Sequence, residues 1–488
     1  MVDSLSHSSQ EKTFAVTTVG CKVNQADSEA IGEQMSVAGF VQRDFSEDAD
    51  VYIVNTCTVT HLGDRSSRNL IAQAHRRRPD ALLVVTGCYA ELNPKAVAAL
   101  PGVDVVVGNN AKDVLVTAIT QKEKTSPAHL PDTDEEIQEQ RLLPILSLNT
   151  RDTQHIGSVN ALTFQEAEPQ ADNPSRIAPF VSEASTGELA STRLASRTRV
   201  QMKVQDGCDN RCTYCIVPTV RGGSRSRSIS SVVEHVNRKV REGYQEIVLT
   251  GIHLGDYHPN GDEQRDLGDL IATLLQETDV PRIRVSSLEP EDFRLEWLEL
   301  WQNPRMCRHL HLPMQSGSDT ILRRMARRYN STRYFTIVTE AKRLVPGMAI
   351  STDIITGFPG ETDEDFEQTY QLARMLAFAK SHVFRFSPRQ GTAAARMKGQ
   401  IQDPIKKARS ERLLTLNEEH SQKFRQQFLS ETVEVLVEHP RHDKWEGLTD
   451  NYLRVELHNP PPHIHQHALI KARLTHLVDD GVCGVFVG

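Results

Sequence analysis

Six of the eight cysteines stand at or just after the ends of short β-branched runs, and no other feature constrains the fold as much. Cys21, Cys57 and Cys88 close the runs TFAVTTVGC, VYIVNTC and LLVVTGC, and each is followed by a polar-punctuated stretch of helical texture. A fourth run, VDVVVG, completes the pattern. Buried strands alternating with amphipathic helices imply a doubly wound parallel α/β sheet. The strand ends of such a sheet share one edge, where open α/β folds bind ligands. Three thiols brought to that edge make one convergent site, whereas thiols that are merely buried would need no shared phase.

The alternation resumes near Arg199 and runs to about Phe428, through RVQMKVQ, EIVLTG, RIRVSSLE, HLHLPMQ, AISTDIITG and HVFRFSP. Six βα units fit a partial (β/α)6 barrel, with reactive groups at the carboxyl ends of its strands. Directly after the first of these strands comes Cys208-Asp-Asn-Arg-Cys212-Thr-Tyr-Cys215. A zinc site would want four ligands, with a two-residue gap in each pair. Three thiolates instead suit a cubane iron–sulfur cluster with its fourth iron open, where the amino and carboxylate groups of S-adenosylmethionine can bind. By the same reasoning Cys21, Cys57 and Cys88 suit a second cluster whose open iron takes sulfide or polysulfide. Cys307 and Cys483 belong to neither set and read as packed thiols.

Composition sets the context. With 38% hydrophobic and 25% charged residues and no apolar run of spanning length, a soluble multidomain chain is expected, with no membrane partner. The polar, Ser-rich first 12 residues carry no signal-like core, so a cytoplasmic location is expected, where thiols serve metals more often than disulfides. The net charge of −8 argues at first against a nucleic-acid partner. Residues 125–192, however, hold 11 acids against 3 arginines, so that segment alone accounts for the excess. Its Pro, Ser, Thr and Gln content reads as an acidic low-complexity linker. After Glu431 short alternating strands suggest a small β-barrel, whose 9 acids against 5 Lys and Arg make a poor grip for RNA. Expected boundaries are therefore 11–124, 125–192, 193–428 and 429–488.

Two basic groups are candidate phosphate contacts: Arg221, Arg225 and Arg227 after the cysteine loop, and Arg323, Arg324, Arg327 and Arg328 in a helical cluster. Arg76, Arg77 and Arg78 read as a helix end. Trp445 and Tyr452 are read either as base-stacking or as core residues.

The Cys208–Cys215 spacing at the end of a first barrel strand resembles the radical S-adenosylmethionine superfamily. The run Asp353-Ile-Ile355-Thr-Gly357-Phe-Pro-Gly360 is similar to that superfamily's adenine-binding segment, with Asp353 in place of its first glycine. The resemblance implies cofactor contacts at Gly251, Ser287, Glu289, Ile355 and Gly357, and catalytic iron ligation by Cys208, Cys212 and Cys215. With Cys21, Cys57 and Cys88 and a small C-terminal β-domain of the TRAM type, the chain resembles the methylthiotransferase family. That resemblance implies two [4Fe–4S] clusters, S-adenosylmethionine, a reducing electron donor, a sulfur donor and a monomer. Gly20-Cys21-Lys22-Val23-Asn24-Gln25 is most similar to the branch that acts on threonylcarbamoyl-adenosine at position 37, in the anticodon stem-loop of tRNA. Alternatives are isopentenyl-adenosine in tRNA and an aspartate of a ribosomal protein. A cobalamin-dependent methylase would want an Asp-x-His-x-x-Gly signature that the first 124 residues lack.

Overall fold

The computed structural model describes residues 11–124, 198–262, 264–438, 440, 444–460 and 463–487. The acidic segment expected at 125–192 lies outside the described residues. The first unit runs β1 (Thr13–Thr18), α1 (Lys22–Val37), β2 (Val41–Gln42), β3 (Val51–Thr56), α2 (His61–Arg77), β4 (Leu82–Gly87), α3 (Cys88–Leu92), α4 (Pro94–Ala98), β5 (Val105–Val107) and α5 (Leu115–Lys124). Its sheet has the order β2-β1-β3-β4-β5, parallel throughout. Every residue of β3 is buried, because the sheet is covered on both faces. Tyr52 and Val54 pack with Ile71 on one side; Val51 and Ile53 pack with Ile31 and Met35 on the other. The order reverses between β1 and β3, which opens a crevice at their carboxyl ends. The sequence pattern had marked four of these strands; β2, at two residues, is too short to carry a period.

A six-stranded parallel barrel follows: β6 (Val200–Lys203), β9 (Glu246–Thr250), β10 (Arg282–Val285), β11 (His309–His311), β12 (Ala349–Thr356) and β13 (Lys380–Arg385). Parallel bridges Ile283–Met306 and Ser287–His311 join its two halves. A ribbon of β7 (Gln205–Asp206) and β8 (Arg225–Ser226) brackets the cysteine loop and α6 (Val217–Arg221). The outer layer comprises α7 (Ile229–Arg241), α8 (Leu267–Glu277), α9 (Asp319–Arg324), α10 (Ser331–Leu344), α11 (Asp363–Leu376) and α12 (Asp403–Gln426). Leu310, Leu312, Ile350 and Ile354 point into the core under these helices. Strand alternation therefore turns His309, His311, Ser351, Asp353 and Ile355 to the barrel interior. Helix α1 of the first unit packs against β6, the edge strand of the barrel.

Five strands, β14 (Thr432–Val437), β15 (Trp445–Thr449), β16 (Arg454–His458), β17 (Leu469–Val478) and β18 (Gly481–Phe486), close a small barrel in the order β14-β15-β16-β18-β17. The sequence pattern missed β15, which contains Gly447. A Cβ there would lie 2.5 Å from the Leu436 carbonyl, so close strand approach demands the glycine. Two arginines, the buried Arg284 and the half-buried Arg308, fasten this barrel to the larger one. Arg284 donates to Glu246 at 2.7 and 3.1 Å and to the Asp450 carbonyl at 2.7 Å. Arg308 donates to Asp450 at 2.6 and 3.1 Å. Tyr452 lies in this interface, its ring 4.2 Å from the Arg284 guanidinium and 4.6 Å from the His309 ring. Trp445 is half-buried and packs against the small core. No helix among the described residues is long and apolar enough to cross a membrane.

Candidate active site

The three N-terminal cysteines meet where the strand order predicts. Each stands at or just before a helix start: Cys21 is the N-cap of α1, Cys57 lies just ahead of the Thr60 cap of α2, and Cys88 begins α3. Helix amino ends favour negative charge, so three of them suit an anionic group held by thiolates. Glycines make the approach possible. Gly20 has φ +110°, and a Cβ on it would lie 2.7 Å from Cys57 Cβ and 2.9 Å from Cys57 Sγ. Gly87, before Cys88, has φ +98° and sits against the Thr56 backbone. Burial pushes the Cys57 thiol up to about 11, and the neighbouring Cys88 and Cys21 add to the effect. Such thiols stay protonated unless a metal displaces the proton.

The second set occupies one loop. Cys208 Sγ lies 3.7 Å from His253 Nδ1, Cys212 Sγ accepts from Arg327 Nη1 at 3.3 Å, and Cys215 Sγ accepts from the Val217 N–H at 3.4 Å. Burial pushes Cys215 up to about 12. Gln205 fixes the loop from below: its Nε2 donates to the Gly207 carbonyl at 2.9 Å and to Ser224 Oγ at 3.0 Å, and its Oε1 accepts from the His253 N–H at 2.8 Å. Arg327 bridges Cys212 to Glu289 and to Glu291. Among the positions expected to touch the cofactor, Gly251 follows β9 and packs on Gln205, and Ser287 and Glu289 follow β10. Ile355 lies on β12, and Gly357 follows it with φ +71°. All five therefore gather at the carboxyl ends of barrel strands, above the cysteine loop's own strand end.

A buried polar seam brings the two thiol sets onto one interface. Cys88 packs with Ile216 and Val220, the residues just beyond Cys215. Asn109 Nδ2 donates to the Val220 carbonyl at 2.7 Å and reaches Cys88 Sγ at 3.5 Å. Asp27 of α1 pairs with Lys112 at 2.7 Å, with Arg221 at 3.2 Å and with Lys203; Arg221 also pairs with Asp206 at 2.8 Å. Burial alone would raise the Asp27 carboxyl, but Lys112, Lys203 and Arg221 hold it well below the usual carboxylate range. These three cations outnumber Asp27 and Asp206 by one, and Cys88 and Cys21 act on Arg221. The surplus positive charge beside the thiols fits an anionic iron–sulfur group there. On the far side Arg389, from the loop after β13, grips Asp64 at 2.6 Å and the Thr58 carbonyl next to Cys57.

These placements correct two of the expected phosphate contacts, Arg221 and Arg327, which are buried. Arg221 is buried in the seam, Arg225 leans on Asp206 at 3.6 Å, and Arg227 donates to Ser231 Oγ at 2.6 Å. Of the second group, Arg323 and Arg324 lie on α9, whereas Arg327 is buried beside Cys212 and Arg324 donates to the Pro359 carbonyl at 2.9 Å. A run of arginines has the same appearance in sequence whether it faces solvent or a buried carboxylate, and here Glu289 and Glu291 decide. Arg78 ends α2 as expected and pairs with Asp50 at 2.8 Å. Cys307 and Cys483 are packed, each 1% exposed. Asp27, His253 and Arg389 were not singled out by sequence, because no fixed spacing ties them to the cysteines.

Comparison with known proteins bears on both units. The Radical SAM superfamily model matches residues 202–373, and the model of Uncharacterized protein family UPF0004 matches residues 13–108. Threonylcarbamoyladenosine tRNA methylthiotransferase MtaB of Bacillus subtilis (strain 168) is 37% identical, over 91% of this chain and 90% of its own length. The protein of the same name from Thermotoga maritima is 35% identical, over 88% and 87%. A tRNA-2-methylthio-N(6)-dimethylallyladenosine synthase from Streptomyces avermitilis is 33% identical, over 87% and 76%. Among solved structures, the radical S-adenosylmethionine methyltransferase TsrM from Kitasatospora setae superposes with a TM-score of 0.52 at 16% identity, over 79% of this chain and 77% of that one. That last likeness speaks to the fold alone.

Proposed function

The chain belongs to the radical S-adenosylmethionine tRNA methylthiotransferase family, and on that premise we propose that it converts threonylcarbamoyl-adenosine in the anticodon stem-loop of tRNA to its 2-methylthio derivative. The observation that carries the reading is the meeting of two three-thiol sets on one interface, with Cys88 packed against the residues that follow Cys215. In this reading Cys208, Cys212 and Cys215 hold one [4Fe–4S] cluster, and Cys21, Cys57 and Cys88 hold another. Bound there with S-adenosylmethionine, the clusters would supply radical chemistry and the sulfur for transfer. A radical is needed because the adenine C2–H is too weakly acidic for base catalysis.

The chain's own residues bind and orient. Arg327 ties Cys212 to Glu289, which follows β10, so the iron ligand and one expected cofactor contact move as a unit. Gly251, Ser287, Glu289, Ile355 and Gly357 are assigned to the cofactor, with Ile355 and Gly357 toward its adenine. Gln205 holds the turn before Cys208 and the loop after β9 in register. An electron donor and a sulfur donor are required partners, the chain acts as a monomer, and its functional units follow the boundaries 11–124, 193–428 and 429–488.

Mass spectrometry of tRNA nucleosides tests the proposal, using cells that lack their own threonylcarbamoyl-adenosine methylthiotransferase, with and without this chain. Appearance of the methylthio derivative is expected on expression. Continued absence in cells whose chain carries its full iron complement would overturn it and turn attention to isopentenyl-adenosine.

A further inference from the structure

Three neighbouring barrel strands bring together a set of nitrogen and oxygen ligands that the iron and cofactor assignments do not use. Strand register builds it. His311 of β11 stands opposite Ser351 of β12, and Asp353 of β12 stands opposite His382 of β13. Val383 packs on the core beneath the helices, so alternation turns the preceding residue, His382, to the interior face that His311 and Asp353 share. The ligand-type atoms of His311, Asp353 and His382 all lie within 4.8 Å of one another. None of the three residues is fully buried, so the group is open to solvent.

The surroundings favour metal ligation over a plain ion pair. Ser351 Oγ donates to the Leu310 carbonyl at 3.5 Å, which leaves it to accept from His311 Nδ1 at 2.9 Å and from His309 Nε2 at 3.1 Å. The His311 tautomer is thereby fixed: Nδ1 carries the proton, and Nε2 turns a lone pair toward Asp353 Oδ1, 3.5 Å away. Two acceptors that face one another are reconciled by a cation between them. Among the described residues no hydrogen bond engages the Asp353 carboxylate or the His382 ring. Metal bonds of about 2.0–2.2 Å put neighbouring ligand atoms about 3.3–3.6 Å apart in a tetrahedron, against about 3.0 Å in an octahedron. The separation of 3.5 Å matches the tetrahedron, and imidazole with carboxylate suits zinc.

We propose that His311 Nε2, the Asp353 carboxylate and the His382 ring form a binding site for a zinc ion, separate from both thiol sets. Three protein ligands leave the fourth position open to water. A small rotation of the exposed His382 side chain brings its ring nitrogen in to bonding distance. Ser351 is the positioning residue, holding His311 in the ligating tautomer. Asp353 is two residues before Ile355 on β12, and His311 is bridged through its backbone to Ser287. The ion therefore sits beneath the positions assigned to the cofactor and ties three strands of the barrel together.

Metal content tests this on the full chain carrying its iron, equilibrated with zinc without oxygen and then desalted. The native protein should hold one zinc more per chain than His382→Ala or Asp353→Asn, with iron per chain equal in all three. Ser351→Ala should keep the site but weaken zinc binding by about 10-fold or more. X-ray absorption at the zinc edge of the native protein needs no variant: nitrogen and oxygen neighbours are expected at about 2.0–2.2 Å, with no sulfur at about 2.3 Å. Equal zinc in the native protein and both variants would overturn the proposal. So would a sulfur neighbour, which puts the zinc on cysteines, or a zinc difference matched by loss of iron.

Discussion

The two thiol sets are assembled by different routes. Cys208, Cys212 and Cys215 share one loop, which the Gly207 turn and Gln205 hold in place. Cys21, Cys57 and Cys88 come from three strand ends and converge only if the whole sheet forms in register. A local site tolerates damage elsewhere, whereas an assembled site inherits every weakness of its sheet and of the seam that braces it. The N-terminal set should therefore be the one that perturbation removes first.

The largest effect on stability is expected from Arg221→Ala. It leaves Asp27 and Asp206 without their shared guanidinium, and breaking a buried pair costs about 3–5 kcal/mol. Denaturant unfolding should show that loss, and iron should fall more at the N-terminal set than at the barrel set. Equal loss from both would break the comparison. Gly20→Ala comes next: a positive φ together with a Cβ 2.7 Å from Cys57 Cβ costs about 1–3 kcal/mol and should deplete only the N-terminal iron. Gly39→Ala is its control, having φ +91° with nothing within 4 Å, and it should retain full iron.

Acid should act through the same seam. Asp27 and Asp206 have folded-state values below the ordinary carboxylate range, so their contribution is fully present above about pH 4 and is lost as pH falls below it. Unfolding followed from pH 7 downward should show stability drop only in that acidic window, and Asp27→Asn should flatten the slope. The smallest effect is expected on the surface: Lys444→Ala removes an exposed pair with Glu456 and should leave stability and iron content unchanged.

The contrast also explains what could be read from sequence. The barrel cysteines were legible because their chemistry is written in consecutive residues. The N-terminal set was legible because a cysteine at the end of each β-branched run fixes its place once the sheet is parallel. Strand β15 escaped because Gly447 interrupts its alternation, and β2 because two residues carry no period. Arg221 and Arg327 were misread as phosphate contacts, since their partners, Asp27 and Glu289, lie far away in the chain.

Division of labour between the two sets is the central claim, and formation of deoxyadenosine from S-adenosylmethionine by reduced protein without tRNA tests it most directly. Cys212→Ala should abolish that cleavage, whereas Cys57→Ala should cleave at close to the native rate while making no methylthio product. Cleavage lost in the Cys57 variant, or retained in the Cys212 variant, would contradict the account.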